Sequence, residues 1–94
     1  MKYFTYVLFS HKFEQLYIGH TYNLDKRFSQ HNKGRVPSTK PYIPYELLYF
    51  EEFKSKVDAV KREKELKTST GRRFLKQFIK KISHFYQLQC LISN

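Results

Sequence analysis

"QLYIGHTYNLDKRFSQHN" (residues 15–32) decides the fold. Its first part, "QLYIGHT" (15–21), reads as a strand. Its second part repeats apolar residues at helical spacing from Leu24, with Asn23 placed to cap the helix and Asp25 suited to its first turn. Arg27 breaks the pattern. It follows Leu24 by three residues and precedes Phe28, so it belongs to the face that points inward. A permanent cation on that face either snorkels to solvent or has an anion to meet.

Working outward, "KYFTYVLFS" (2–10) is nearly continuous in apolarity and rich in aromatic and β-branched residues, as a central strand buried on both faces would be. With 15–21 it predicts an antiparallel hairpin turned by "HKFEQ". The helix from Leu24 to about Asn32 ends at "NKG", where Gly34 supplies a left-handed residue. "GRVPSTKPYIPYE" is a loop in which Pro37, Pro41 and Pro44 oppose regular structure. "YELLYFEEF" (45–53) is a third strand. "SKVD" (55–58) has capping-box spacing and opens a helix to about Lys67. "TSTG" interrupts, and "RRFLKQFIKKISHFYQL" resumes helical spacing. The chain is thus α+β, in the order β-β-α-β-α-α, as one domain over 1–82 with a tail at 83–94.

Composition limits the function classes. The 94 residues suffice for one modest core, and 40% hydrophobic and 18% aromatic content argues against disorder. Eighteen Lys and Arg against eight acids leave a net charge of +10, which favours an anionic partner, nucleic acid before acidic membrane. The lone Cys90 excludes an internal disulfide and multi-cysteine zinc modules. The first 13 residues lack a signal-peptide cleavage site, and no run approaches transmembrane length. The expected setting is cytoplasmic, on the nucleoid when DNA is bound.

Glu63 is the second charged residue out of pattern, three or four residues from Ala59, Val60 and Leu66 on the apolar side of its helix. It either leans outward to Lys67 as an i,i+4 pair or turns inward, where it must be paired, protonated or bound to a cation. Tyr6, Tyr17, His20 and His31 carry little weight singly. Tyr, Tyr, His, Arg and Glu together could hold a divalent cation, stabilise a phosphate and move a proton, the requirements of phosphodiester hydrolysis.

These residues resemble the GIY-YIG nuclease family, and within it the small standalone bacterial members. "FTY" (4–6) stands at the first triplet with its tyrosine kept, and "YIG" (17–19) is the second triplet intact. "NLDKRFSQHN" (23–32) is similar to the family's arginine-bearing helix, "STKPYIPYELLYFEEF" (38–53) to its loop and third strand, and "AVKREKELKTSTGRRFLK" (59–76) to its final segment. The resemblance implies a three-stranded antiparallel sheet, first strand central, flanked by helices. It implies a DNA endonuclease, in repair, recombination or processing, using one Mg²⁺ or Mn²⁺ bound by Glu63. Arg27 would steady the phosphate, Tyr6 or Tyr17 would activate water, and His20 would assist. His31 and Asn32 are accessory positions. The first-triplet glycine is Phe4 here, and no clear counterpart of the asparagine found downstream in some members follows Glu63.

Nine of the 18 basic residues lie between Lys61 and Lys81. Lys61, Arg62, Lys67, Arg72, Arg73 and Lys76 are the candidates for a phosphate-tracking surface, against the plainer reading of a solvated helix face. A catalytically weak nucleic-acid-binding module on the same fold is the competing function. With no separate DNA-binding domain in this length, the expectation is weak sequence preference, or specificity borrowed from a homodimer or a partner protein.

Overall fold

The computed structural model describes the backbone of residues 1–93 and the side chains of residues 1–81. The expected tail at 83–94 lies outside the described side chains. The elements are β1 (Tyr3–Ser10), β2 (Gln15–Thr21), α1 (Leu24–Asn32), β3 (Glu46–Phe53), α2 (Lys56–Leu66) and α3 (Ser69–Ser93). The sheet order is β2-β1-β3, antiparallel throughout, so the first strand is central as expected.

Period-two alternation sends β1 side chains to two cores. Val7 and Ile18 pack against Leu66 and Leu75 beneath α2 and α3. Tyr6, Leu8 and Tyr45 pack with Leu24 and Phe28 beneath α1. Both cores together bury β1 continuously from Thr5 to Ser10. The Thr5 hydroxyl donates to the Ala59 carbonyl at 2.6 Å, tying the centre of α2 to the central strand.

The caps follow their residue types. Asn23 Oδ1 accepts from the Lys26 amide at 3.1 Å, and Ser55 Oγ from the Asp58 amide at 3.2 Å. Gly34 ends the α1 region with a φ of +74°, where a side chain would be strained.

Three boundaries differ from expectation. The proline-rich loop contains one 3₁₀ turn, Lys40–Tyr42, which Pro41 tolerates because the first turn of a helix needs no N–H from it. β3 starts at Glu46 rather than at 45, because both backbone groups of Tyr45 are taken by Asn32: its amide donates to Oδ1 at 2.7 Å and its carbonyl accepts from Nδ2 at 2.9 Å. The break before α3 is shorter than "TSTG". Thr68 Oγ1 accepts from the Gly71 amide at 3.2 Å, so the helix already begins at Ser69. Gly71 is required there, since a Cβ would lie 2.4 Å from the Glu65 carbonyl oxygen.

Candidate active site

β2 is an edge strand, and the helices on the two sheet faces both overhang it. α1 packs through Leu24 and Phe28, leaving Arg27 on its flank toward the edge. α2 packs through Ala59 and Leu66, and Glu63 lies between them on the same stripe. Their overhangs bound a cleft of about 780 Å³. Tyr6, Tyr17, His20, Arg27 and Glu63 all line it, with Gly19, Lys26, Gln30, Lys56 and Lys67. Residues distant in sequence meet there because each belongs to a packed stripe that ends at the same strand.

Tyr6 faces Gly19 across the β1–β2 register. The fit is close: a Cβ at Gly19 would stand 2.7 Å from the Tyr6 hydroxyl and 3.1 Å from the Tyr17 ring. The glycine of "YIG" therefore makes room for the tyrosines of both triplets.

Behind Tyr6 stands a fully buried chain of polar groups. The Thr39 hydroxyl donates to the Val36 carbonyl at 3.3 Å, so it accepts from His31 Nδ1 at 2.8 Å. The His31 tautomer is thereby set with its hydrogen on Nδ1, and Nε2 accepts from the Tyr6 hydroxyl at 2.9 Å. Burial, reinforced by the positive charge of Arg27, pushes His31 down to about 4. Burial also pushes Tyr6 up to about 12, against the pull of the Arg27 guanidinium. Arg27 is held more firmly protonated, foremost by its polar contact with the Tyr6 hydroxyl. Its Nη1 also donates to Gln30 Oε1 at 3.4 Å. Tyr17 completes the group, its ring 4.7 Å from that of His31.

On the opposite wall Glu63 is mostly buried, its side chain 16% exposed. Oε1 accepts from His20 Nδ1 at 2.8 Å and Oε2 from Lys67 Nζ at 3.0 Å. Burial alone would push the carboxyl up, but the His20 and Lys67 hydrogen bonds outweigh it and hold Glu63 below its ordinary value. The i,i+4 pair with Lys67 forms, but Glu63 does not lean outward to make it: the carboxylate lies on the cleft wall.

Residues 2–87 match the GIY-YIG catalytic domain. The chain belongs to the GIY-YIG family. A UPF0213 protein of Staphylococcus haemolyticus is 38% identical over 76 residues, covering 80% of this chain and 92% of that protein. A UPF0213 protein of Pediococcus pentosaceus is 42% identical over 67 residues, 70% of each chain. The solution NMR structure of a UPF0213 protein from Bacillus halodurans aligns with a TM-score of 0.50 and 30% identity, over 85% of this chain and 84% of that one. A GIY-YIG domain carries nuclease-type chemistry, and the cleft gathers the tyrosines of both triplets.

Other candidate residues of this GIY-YIG chain lie elsewhere. Asn32 is spent on the Tyr45 backbone. Of the six basic candidates only Lys67 lines the cleft. Lys61, Arg72, Arg73 and Lys76 are exposed outside it. Arg62 turns to Glu51 at 2.7 Å and Glu65 at 3.2 Å, and lies 5.7 Å from the Phe74 ring. Lys26, Lys56 and Thr39 carried no sequence signal, because only tertiary packing brings them to the cleft or to His31. His31 did carry one: it follows Leu24 by seven and Phe28 by three, and so shares their inward face. Among the described residues no helix is long and apolar enough to cross a membrane.

Proposed function

We propose that this chain is a divalent-metal-dependent DNA endonuclease acting in repair, recombination or processing. The observation that carries the reading is the cleft itself, with Arg27 and the two tyrosines on its α1 side and Glu63 on its α2 side. Arg27 receives the phosphate, whose oxygens match the guanidinium fork. Tyr6 serves as the proton relay. Its oxygen takes a proton from the attacking water as its own proton passes along the existing hydrogen bond to His31 Nε2. The resulting imidazolium remains hydrogen-bonded to Thr39. In the free protein burial, reinforced by the charge of Arg27, holds His31 neutral, and a phosphate beside Arg27 offsets the part that Arg27 contributes. Substrate binding therefore raises the basicity of His31 when it is needed.

Glu63 suits a hard cation. Among the described residues no group of three or more His, Cys, Asp or Glu could enclose a metal. A single carboxylate fits Mg²⁺ or Mn²⁺, which keep their waters and share phosphate oxygens, and not a tetrahedral zinc site. When bound, such an ion supplies charge stabilisation at the phosphoryl oxygens. Sequence preference would come from a second copy or a protein partner.

The test is Glu63→Gln, which keeps the shape and removes the charge. The expected variant is folded, binds DNA and fails to nick supercoiled plasmid in Mg²⁺. Undiminished nicking would return Glu63 to a purely structural ion pair. If the wild type binds DNA but does not nick, the chain is the binding module.

A further inference from the structure

Glu63 does not wait for a cation with bare oxygens: each already has one partner. On one side is the imidazole of His20, from the adjacent edge strand. On the other is the ammonium of Lys67, one helical turn along α2. Lys67 is the more exposed of the two. Its side chain is 49% exposed, and it reaches the carboxylate on a flexible four-carbon stem. A Glu followed four residues later by Lys is also the favourable orientation for such a pair on a helix. Lys67 lines the same cleft as Arg27.

We propose that Lys67 is a resident counter-ion which a metal ion must displace from Glu63, and which then becomes a phosphate contact. The inference rests on the reading of Glu63 as the metal ligand. A divalent ion and an ammonium cannot both occupy the Oε2 side of one carboxylate without strong repulsion. The displaced ammonium has a four-carbon reach and a cleft that receives an anion, so it turns to the phosphate. Lys67 is thus a positioning residue with two alternating partners. In the free protein it keeps the mostly buried Glu63 charged and oriented. In the complex it adds a point charge opposite the Arg27 fork. This arrangement also couples the two ligands: phosphate draws Lys67 away and so opens the carboxylate to metal, and metal does the reverse.

The consequence is a pair of effects of opposite sign in one variant. In Lys67→Met the aliphatic stem is largely kept and the charge is gone. Mn²⁺ alone, titrated into the free protein, is followed by paramagnetic broadening of backbone amide signals. The expected broadening centres on Glu63 and His20, and half-saturation falls about two- to tenfold in Lys67→Met, the scale of losing one half-exposed competing ion pair and its repulsion. At saturating Mn²⁺ the same variant is expected to nick DNA more slowly, and its DNA binding to depend less steeply on salt by about one unit of slope. Lys67→Arg, which keeps the charge, should keep the wild-type metal affinity. Equal Mn²⁺ affinity in the wild type and Lys67→Met would overturn the inference while leaving Glu63 as ligand. Wild-type nicking by Lys67→Met at saturating metal would overturn its phosphate half. Broadening centred away from Glu63 in the wild type would overturn the metal reading and this inference together.

Discussion

Arg27 shows how one residue can be both out of pattern and well placed. Its neighbours Leu24 and Phe28 pull α1 onto the sheet, and the edge position of β2 gives the guanidinium a cleft instead of a core. If it stabilises the phosphate, Arg27→Lys keeps the charge and loses the planar fork. Nicking is expected to fall about a hundredfold or more, with thermal unfolding little changed. Wild-type nicking by Arg27→Lys would remove it from the chemistry. His31 makes a prediction that needs no substrate. It is fully buried and neutral, with its proton affinity pushed down to about 4. The unfolded chain takes up a proton near the ordinary value, about 6.5, and the folded chain does not until about 4. Between those values the unfolded state binds more protons, so stability falls as pH falls, by roughly 3 kcal/mol in all. Above about 6.5 both forms are neutral and the effect vanishes. Unfolding curves of the wild type and His31→Gln across this window should diverge in steepness, with the variant losing less on acidification. Parallel curves would contradict the neutral, hydrogen-bonded His31.

At the scale of elements, most of the architecture could be read from local patterns. β1 was recognisable by its unbroken apolarity, α1 and α2 by their caps, and Gly34 by its place after "NK". What local pattern could not reveal was the use of Asn32. It is the last residue of α1, yet both polar ends of its side chain hold the Tyr45 backbone and so set where β3 begins. Asn32→Ala would leave an amide and a carbonyl without their partners, at a loss of about 2 kcal/mol or more, seen as a lower Tm. Nicking assayed well below that Tm is expected to stay near wild type, since Asn32 does not line the cleft. A large loss of nicking without a loss of Tm would make Asn32 a functional residue instead.

For the whole molecule, charge is the dominant feature. A net +10 on 94 residues, with Lys26, Lys56 and Lys67 at the cleft and Lys61, Arg72, Arg73 and Lys76 exposed beyond it, predicts duplex DNA affinity that falls steeply from about 50 to 200 mM salt. Affinity that barely changes would remove phosphate contacts from the argument. Arg62 should contribute little, being neutralised by Glu51 and Glu65. By itself the sequence determined the α+β class, the element order and the family, because hydrophobic period, caps and the spacing of two triplets are local properties. It also marked Arg27 and Glu63, since a charge on an apolar stripe is visible without a structure. Only the tertiary structure decided that the two stripes end at the same edge strand. Only it decided that Glu63 meets His20 and Lys67 at once, and that Tyr6 points its proton at a buried His31. The His20–Glu63 and Tyr6–His31 contacts span 43 and 25 positions of chain and are made by packing on the two faces of one sheet, so no local pattern encodes them.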